Sequence, residues 1–169
     1  KCAQIQFERI CKVVNICVFC SNKQIGRIMT WWEQRGYVAT LLVWDKPNPM
    51  PLGNGCYINN LEFIVYVRSK GATYNSLGYD MQFKTFRNQP PQAKERIHET
   101  EKPVSLLQRL LLLHSNEGDV VFDPYAGSFT TAIACHKEKR KFIGCEILSK
   151  YYEPAVKRLR GVTAQQSLF

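Results

Sequence analysis

The chain lacks what several broad protein classes require. No run is long and apolar enough to cross a bilayer and no secretory leader shows, so neither a membrane span nor export is predicted. Histidine is scarce: His98, His114 and His136 are isolated, no pair has metal-ligand spacing, and no metal is assigned. The seven cysteines are scattered and odd in number, which argues against a disulfide framework. Cys17 and Cys20 have CxxC spacing but lie in an expected strand, where residues three apart face opposite sides. Core cysteines in a reducing cytoplasm are the expectation. There is no repeat and no GxGxxG, so the usual nicotinamide fingerprint is missing. Acid is also in deficit, 14 Asp and Glu against 23 Lys and Arg, a net charge of +9 that would attract phosphate. What remains, 169 residues with 45% hydrophobic content, suits one globular domain with a real core.

The most informative stretch runs from Val120 to Thr131. Val120-Val-Phe reads as a buried strand that Asp123-Pro124 ends. Gly127 and Ser128 turn the backbone, and Thr130-Thr131 opens a helix. A strand, a sharp turn and a helix start make a ligand seat. The first N–H groups of the helix are unpaired, and an acid at the strand end can hold a cationic or hydroxyl group. Further on, Arg140-Lys-Phe-Ile-Gly-Cys-Glu-Ile147 is a second apolar run closed by Glu146. That acid lies about 20 residues past the glycine turn, the window in which a carboxylate takes ribose hydroxyls in dinucleotide-binding folds. Gly144 and Cys145 beside it leave room for a ligand. Upstream, Pro103 suits the first position of a helix whose Leu106, Leu107, Leu110, Leu111 and Leu113 form a broad apolar face. Lys102 stands at the mouth of that helix, where it could meet a carboxylate.

These segments resemble the S-adenosylmethionine-dependent amino methyltransferases of DNA. Asp123-Pro-Tyr-Ala-Gly-Ser-Phe-Thr-Thr131 is similar to their motif I, Asp-Pro-Phe-x-Gly-Ser-Gly-Thr-Thr, with Tyr125 for the aromatic and Phe129 where the second glycine stands. Glu146 falls at motif II. His98-Glu-Thr-Glu-Lys-Pro-Val-Ser-Leu106 looks like motif X, His-x-Thr-x-Lys-Pro-x-x-Leu. The resemblance implies S-adenosyl-L-methionine as cofactor, held by Lys102, Pro103, Asp123, Pro124, Tyr125, Gly127, Ser128, Thr130, Thr131 and Glu146. Lys102 would face the methionine carboxylate and Glu146 the ribose.

Order along the chain matters as much as the motifs. Motif X precedes motif I, as in the permuted β group of the family. Asn15 to Asn22, Val38 to Lys46 and Leu61 to Gly71 are expected strands, and Ile25 to Tyr37 an amphipathic helix stopped by Gly36. The pieces Trp44-Asp-Lys-Pro-Asn48 and Glu62-Phe-Ile-Val65 are similar to stretches of that group, so the likeness runs from about Asn15 to Arg160. Motif IV, Asp/Asn/Ser-Pro-Pro-Tyr/Phe/Trp, is missing. It should precede the expected helix Phe7 to Lys12, and the only Pro-Pro, Pro90-Pro91, is flanked by glutamines in an expected loop. The chain is therefore expected to start downstream of the catalytic strand, to be inactive alone, and to leave a gap or exposed edges that invite another chain, for example in a homodimer. No catalytic residue is assigned.

The expected architecture is α/β: a Rossmann-like methyltransferase fold with a mostly parallel sheet, helices on both faces, one reversed edge strand and an incomplete N-terminal part. Residues 1–160 form the methyltransferase domain. Within it 15–69 carry the strands and helix of the catalytic half, 70–97 the candidate target-recognition stretch, and 98–160 the cofactor half; 161–169 form a tail. The stretch from Lys70 to Arg96 is polar and basic, and Tyr74, Lys84, Arg87 and Asn88 are its candidate contacts to duplex DNA. The basic cluster His136 to Lys141 lies in the loop after the motif I helix, on the edge away from the strands' carboxyl ends, and reads as a solvated turn. Ser149 to Arg160 is an expected helix with the family's Tyr-x-x-x-Ala-x-x-Arg spacing, starting or bending at Pro154. Gln165-Gln-Ser-Leu-Phe169 resembles the peptide that binds the bacterial sliding clamp. The activity implied is methylation of adenine N6 in DNA by a cytoplasmic, bacterial or phage-encoded enzyme of the kind found in restriction–modification systems, with the presence of a cognate nuclease left open. Cytosine N4, an RNA methyltransferase, and a non-catalytic cofactor-binding module are the alternatives.

Overall fold

A computed structural model describes residues 12–49, 57–92, 94 and 96–166. The expected helix Phe7 to Lys12 and the tail residues 167–169 therefore fall almost wholly outside the described residues. The chain divides into two compact units, Lys1–Asn88 and Gln89–Phe169, so the boundary falls inside the stretch expected to recognise DNA.

The first unit holds strands β1 (Asn15–Cys20), β2 (Val38–Asp45), β3 (Leu61–Arg68) and β4 (Thr85–Arg87), with helix α1 (Ile25–Glu33) between β1 and β2. The sheet order is β1-β3-β2-β4. β3 runs antiparallel to both neighbours, Cys17 facing Tyr66 on one side and Leu42 facing Ile64 on the other. The reversed strand is thus internal, not at the edge as expected. Its composition shows why. Ile64, Val65, Tyr66 and Val67 are all buried, a continuous apolar run that suits a strand covered on both faces. β4 pairs parallel with β2 and buries only Phe86, which is 1% exposed. A three-residue strand carries too little periodicity to be read from sequence.

Helix α1 lays Ile28, Met29 and the fully buried Trp32 against Val65 and Val67. It stops through a Schellman arrangement at Gly36, φ +81. The Tyr37 N–H donates to the Trp32 carbonyl at 3.3 Å and the Gly36 N–H to the Glu33 carbonyl at 2.9 Å.

The second unit is built from α2 (Val104–His114), β5 (Val120–Asp123), α3 (Thr130–Lys137), β6 (Lys141–Gly144) and α4 (Ser149–Gln166). All five leucines expected on the apolar face of α2 are buried. Pro103 is the N-cap rather than the first helical residue: its ring sets φ at −67°, but ψ is 140°. β5 and β6 pair parallel, with Asp123 opposite Gly144, so both strands deliver their acids to the same end. One face of this pair meets α3 and α4 through Phe142. The other shows Val120, Phe122 and Ile143 to solvent. Among the described residues β1 is hydrogen-bonded to β3 alone and β5 to β6 alone. α4 begins at Ser149, passes through Pro154 and continues to Gln166, so the expected tail is helical as far as that residue.

Candidate cofactor site

The turn after β5 is held from both strand ends. Asp123 accepts from the Tyr125 N–H through Oδ1 at 3.0 Å, and from the Thr131 hydroxyl through Oδ2 at 2.7 Å. It thereby ties the strand to the first turn of α3. Glu146 accepts from the Gly127 N–H through Oε2 at 3.0 Å and from the Leu148 N–H through Oε1 at 2.9 Å. The Ala126 N–H donates to the Cys145 carbonyl, and the Cys145 N–H to the Asp123 carbonyl. The two acids predicted for the site thus stand around one turn, joined by Gly127.

Gly127 has φ +52, and a Cβ placed there would first meet the His98 ring at 3.8 Å. Two residues on, Phe129 is also left-handed, φ +58, at the position where the resemblance has glycine. A non-glycine residue in that region costs about 1–2 kcal/mol. Phe129 offsets it by burial: it is 6% exposed and packs near Phe142, Tyr152 and Ala155. Burying a phenylalanine side chain stabilises by about 1.5–3 kcal/mol, so the strained turn persists without net loss. Ser128 and Thr130 are buried and share a hydroxyl–hydroxyl hydrogen bond of 2.9 Å. They brace the helix start from inside.

One expectation fails at β6. The space at Gly144 is not room for a ligand, because a Cβ there would lie 2.3 Å from the Phe142 ring and 2.9 Å from the Asp123 carbonyl. The glycine lets the parallel strands and that ring approach. Open surface lies instead at Tyr125, 77% exposed, and at Ile147, 94% exposed beside Glu146. A carboxylate next to an uncovered aliphatic side chain, above a glycine turn, fits a nucleoside: hydroxyls for the acid, a flat base for the apolar surface.

The loop before α2 borders the turn through His98, which was not among the expected site residues. His98 Nδ1 accepts from the Thr100 N–H at 3.1 Å and contacts its hydroxyl at 3.0 Å, and the ring lies 4.2 Å from that of Tyr151 on α4. Lys102 donates to the Thr100 carbonyl at 2.9 Å. Pro103 is the N-cap of α2, and Pro124 follows Asp123 at the end of β5.

The four candidate DNA contacts belong to the other unit. Tyr74 is 43% exposed. Lys84 is exposed, and Arg87 extends from β4 with its side chain 76% exposed, 3.7 Å from Asp45. The main-chain carbonyl of Asn88 accepts from the buried Trp44 indole at 2.8 Å, a bond that does not engage its side chain. The basic loop after α3 is engaged locally: Lys139 pairs with Glu117 at 3.4 Å, and Arg140 donates to the Ser115 carbonyl at 2.7 Å.

The DNA methylase family of N6 and N4 enzymes matches residues 12–157. The DNA adenine methyltransferase YhdJ of Escherichia coli (strain K12) is 52% identical over 62 residues, which is 37% of this chain and 21% of that protein. Type II methyltransferase M2.MboI of Moraxella bovis is 26% identical over 152 residues, covering 82% of this chain and 55% of the relative. The chain thus spans about a fifth and about half of these two relatives. The crystal structure of an M1.HpyAVI–SAM complex superposes with a TM-score of 0.77 at 31% identity, over 86% of this chain and 74% of that one. The cytosine-N4-specific PvuII DNA methyltransferase shares the fold alone, TM-score 0.67 at 15% identity over 85% of this chain and 61% of that one.

Proposed function

The chain belongs to the N6/N4 DNA methylase family, and from that membership we propose that it carries the cofactor site of an enzyme that methylates adenine at N6 in duplex DNA. The observation that carries the reading is the turn at Gly127. Its N–H is held by Glu146, its neighbour Tyr125 by Asp123, and an exposed Ile147 lies alongside. In this reading S-adenosyl-L-methionine, when bound, supplies a methyl group on a sulfonium sulfur. Glu146 would turn its remaining acceptor capacity to the ribose hydroxyls, Ile147 would cover one face of the base, and Lys102 would offer its ammonium to the amino-acid end. Asp123 keeps the turn open by bonding Tyr125 and Thr131.

In the transfer the exocyclic nitrogen would take the methyl group with release of the sulfide, the carbon–sulfur electron pair staying on sulfur and the amine proton passing to solvent. An exocyclic amine is a poor nucleophile because its lone pair is drawn into the ring, so acceptors aimed at its N–H groups supply the decisive help. The family's tetrapeptide for that purpose does not occur in this sequence. No residue of this chain is assigned the step. Adenine is favoured over cytosine by the likeness to a DNA adenine methyltransferase, which is the higher in identity of the two relatives. Duplex DNA is the partner in this reading, reached in part through Tyr74, Lys84, Arg87 and Asn88.

The product of the full reading frame should transfer tritium from labelled S-adenosylmethionine to unmethylated duplex DNA, with the label recovered as N6-methyladenine. Label recovered as N4-methylcytosine would overturn the choice of base, and label found only in RNA or protein would overturn the substrate class.

A further inference from the structure

Glu101 is the only buried side chain of the Asp, Glu, Lys and Arg types among the described residues, and the cofactor site as described does not use it. It sits in the loop between His98 and α2. One carboxylate oxygen accepts from Arg158 Nη1 of α4 at 2.6 Å, and the other from the Ile97 N–H at 3.0 Å. Arg158 is about one-third exposed while the Glu101 side chain is 1% exposed, so the carboxylate is the desolvated partner. A buried carboxylate is costly unless it is paired and hydrogen-bonded, and here both oxygens are.

Arg158 lies on the same face of α4 as Tyr151 and Ala155, at spacings of seven and three residues. Tyr151 meets the His98 ring, and Ala155 packs near Phe129 in the turn after β5. One face of α4 therefore touches the His98–Lys102 loop at two points and the Gly127 turn at a third. Within the loop the Glu101 N–H donates to the His98 carbonyl, and the Thr100 N–H to His98 Nδ1.

We propose that Glu101 and Arg158 are positioning residues, a buried ion pair by which α4 fixes the loop carrying His98 and Lys102 against the Gly127 turn. The consequence for cofactor binding rests on the function proposed above. Loosening the pair frees the wall of the site while leaving Asp123, Gly127 and Glu146 in place. Cofactor affinity then falls more than the fold's stability alone requires.

The test uses the full chain and four proteins: wild type, Arg158→Met, Arg158→Lys and Glu101→Gln. Amide hydrogen exchange at Ile97 and Thr100 reads the loop without any ligand. Calorimetry with S-adenosylhomocysteine reads the site. Arg158→Met is expected to speed exchange at both amides by about tenfold and to weaken the ligand by a similar factor, with Arg158→Lys restoring most of each. Glu101→Gln, nearly isosteric and still able to accept from Ile97, should loosen the loop less than Arg158→Met. Unchanged exchange in Arg158→Met and Glu101→Gln overturns the clasp. Faster exchange with unchanged affinity overturns its role in the site. A wild-type chain that binds no S-adenosylhomocysteine counts against the cofactor reading, and exchange at Ile97 still decides the clasp. If Arg158→Met does not fold, Glu101→Gln carries the same comparison.

Discussion

Gly144 has no space for a side chain. An alanine methyl would meet the Phe142 ring at 2.3 Å and the Asp123 carbonyl at 2.9 Å, and the second of these is backbone that cannot rotate away. Gly144→Ala should therefore destabilise the chain by about 1–3 kcal/mol, the cost of forcing a methyl into a packed site. Urea unfolding checks it, and an unchanged midpoint would show that β5 and β6 can part at this point. At the same scale, Asp123, Gly127 and Glu146 were legible in sequence because a strand end, a glycine turn and a second strand end are local signals. The Phe129 strain was not. Nothing in the string Gly-Ser-Phe-Thr says that an aromatic adopts φ +58, which depends on Phe142 and Tyr152 closing around it. Glu101 and Arg158 were equally hidden, since their contact spans 57 residues of chain.

Among the elements, the β1–β3 pair carries an unusual load of weak acids. Cys17 and Tyr66 stand directly opposite each other. Burial pushes the Cys17 thiol from its ordinary 9.0 up to about 12. Burial, followed by the neighbouring Cys17, pushes the Tyr66 phenol from 10.0 up to about 12, against a smaller lowering by Arg68. Both groups are neutral when protonated, and the folded state holds their protons longer than the unfolded chain does. Their stabilising effect is thus complete below about pH 9 and is lost as pH rises towards 12. Thermal melts from pH 8 to 10.5 should show the midpoint falling, and Cys17→Ala should fall less steeply over the same range. Parallel slopes for the two proteins would mean that this pair does not govern the alkaline limit. Strands and helices of eight or more residues were largely legible from period and composition, as in β2, β3 and α2. The short β4 was not, because its pairing with β2 is decided by where Phe86 is buried. Nor was the reversal of β3 inside the sheet, since period-two patterning does not encode strand direction.

For the whole molecule, the division into Lys1–Asn88 and Gln89–Phe169 separates the basic, aromatic stretch around Tyr74 and Arg87 from the turn around Gly127. No helix among the described residues is long and apolar enough to cross a membrane. The α/β class and the order β5, α3, β6 were legible because the sequence signals strand, turn, helix and strand from Val120 to Glu146. The unit boundary was not, as it falls among polar residues with no break in composition. The net charge of +9 suits a polyanionic partner but does not choose among them.

In the function proposed above, a carboxylate and a glycine turn at the ends of β5 and β6 hold an adenosyl ligand. Calorimetric titration of S-adenosylhomocysteine into the wild-type chain and into Glu146→Ala tests it most directly. One-to-one binding to the wild type, weakened by about 1–3 kcal/mol in the variant through lost hydroxyl acceptors, is the result predicted. Equal affinity in the two proteins, or no binding to the wild type at all, would contradict it.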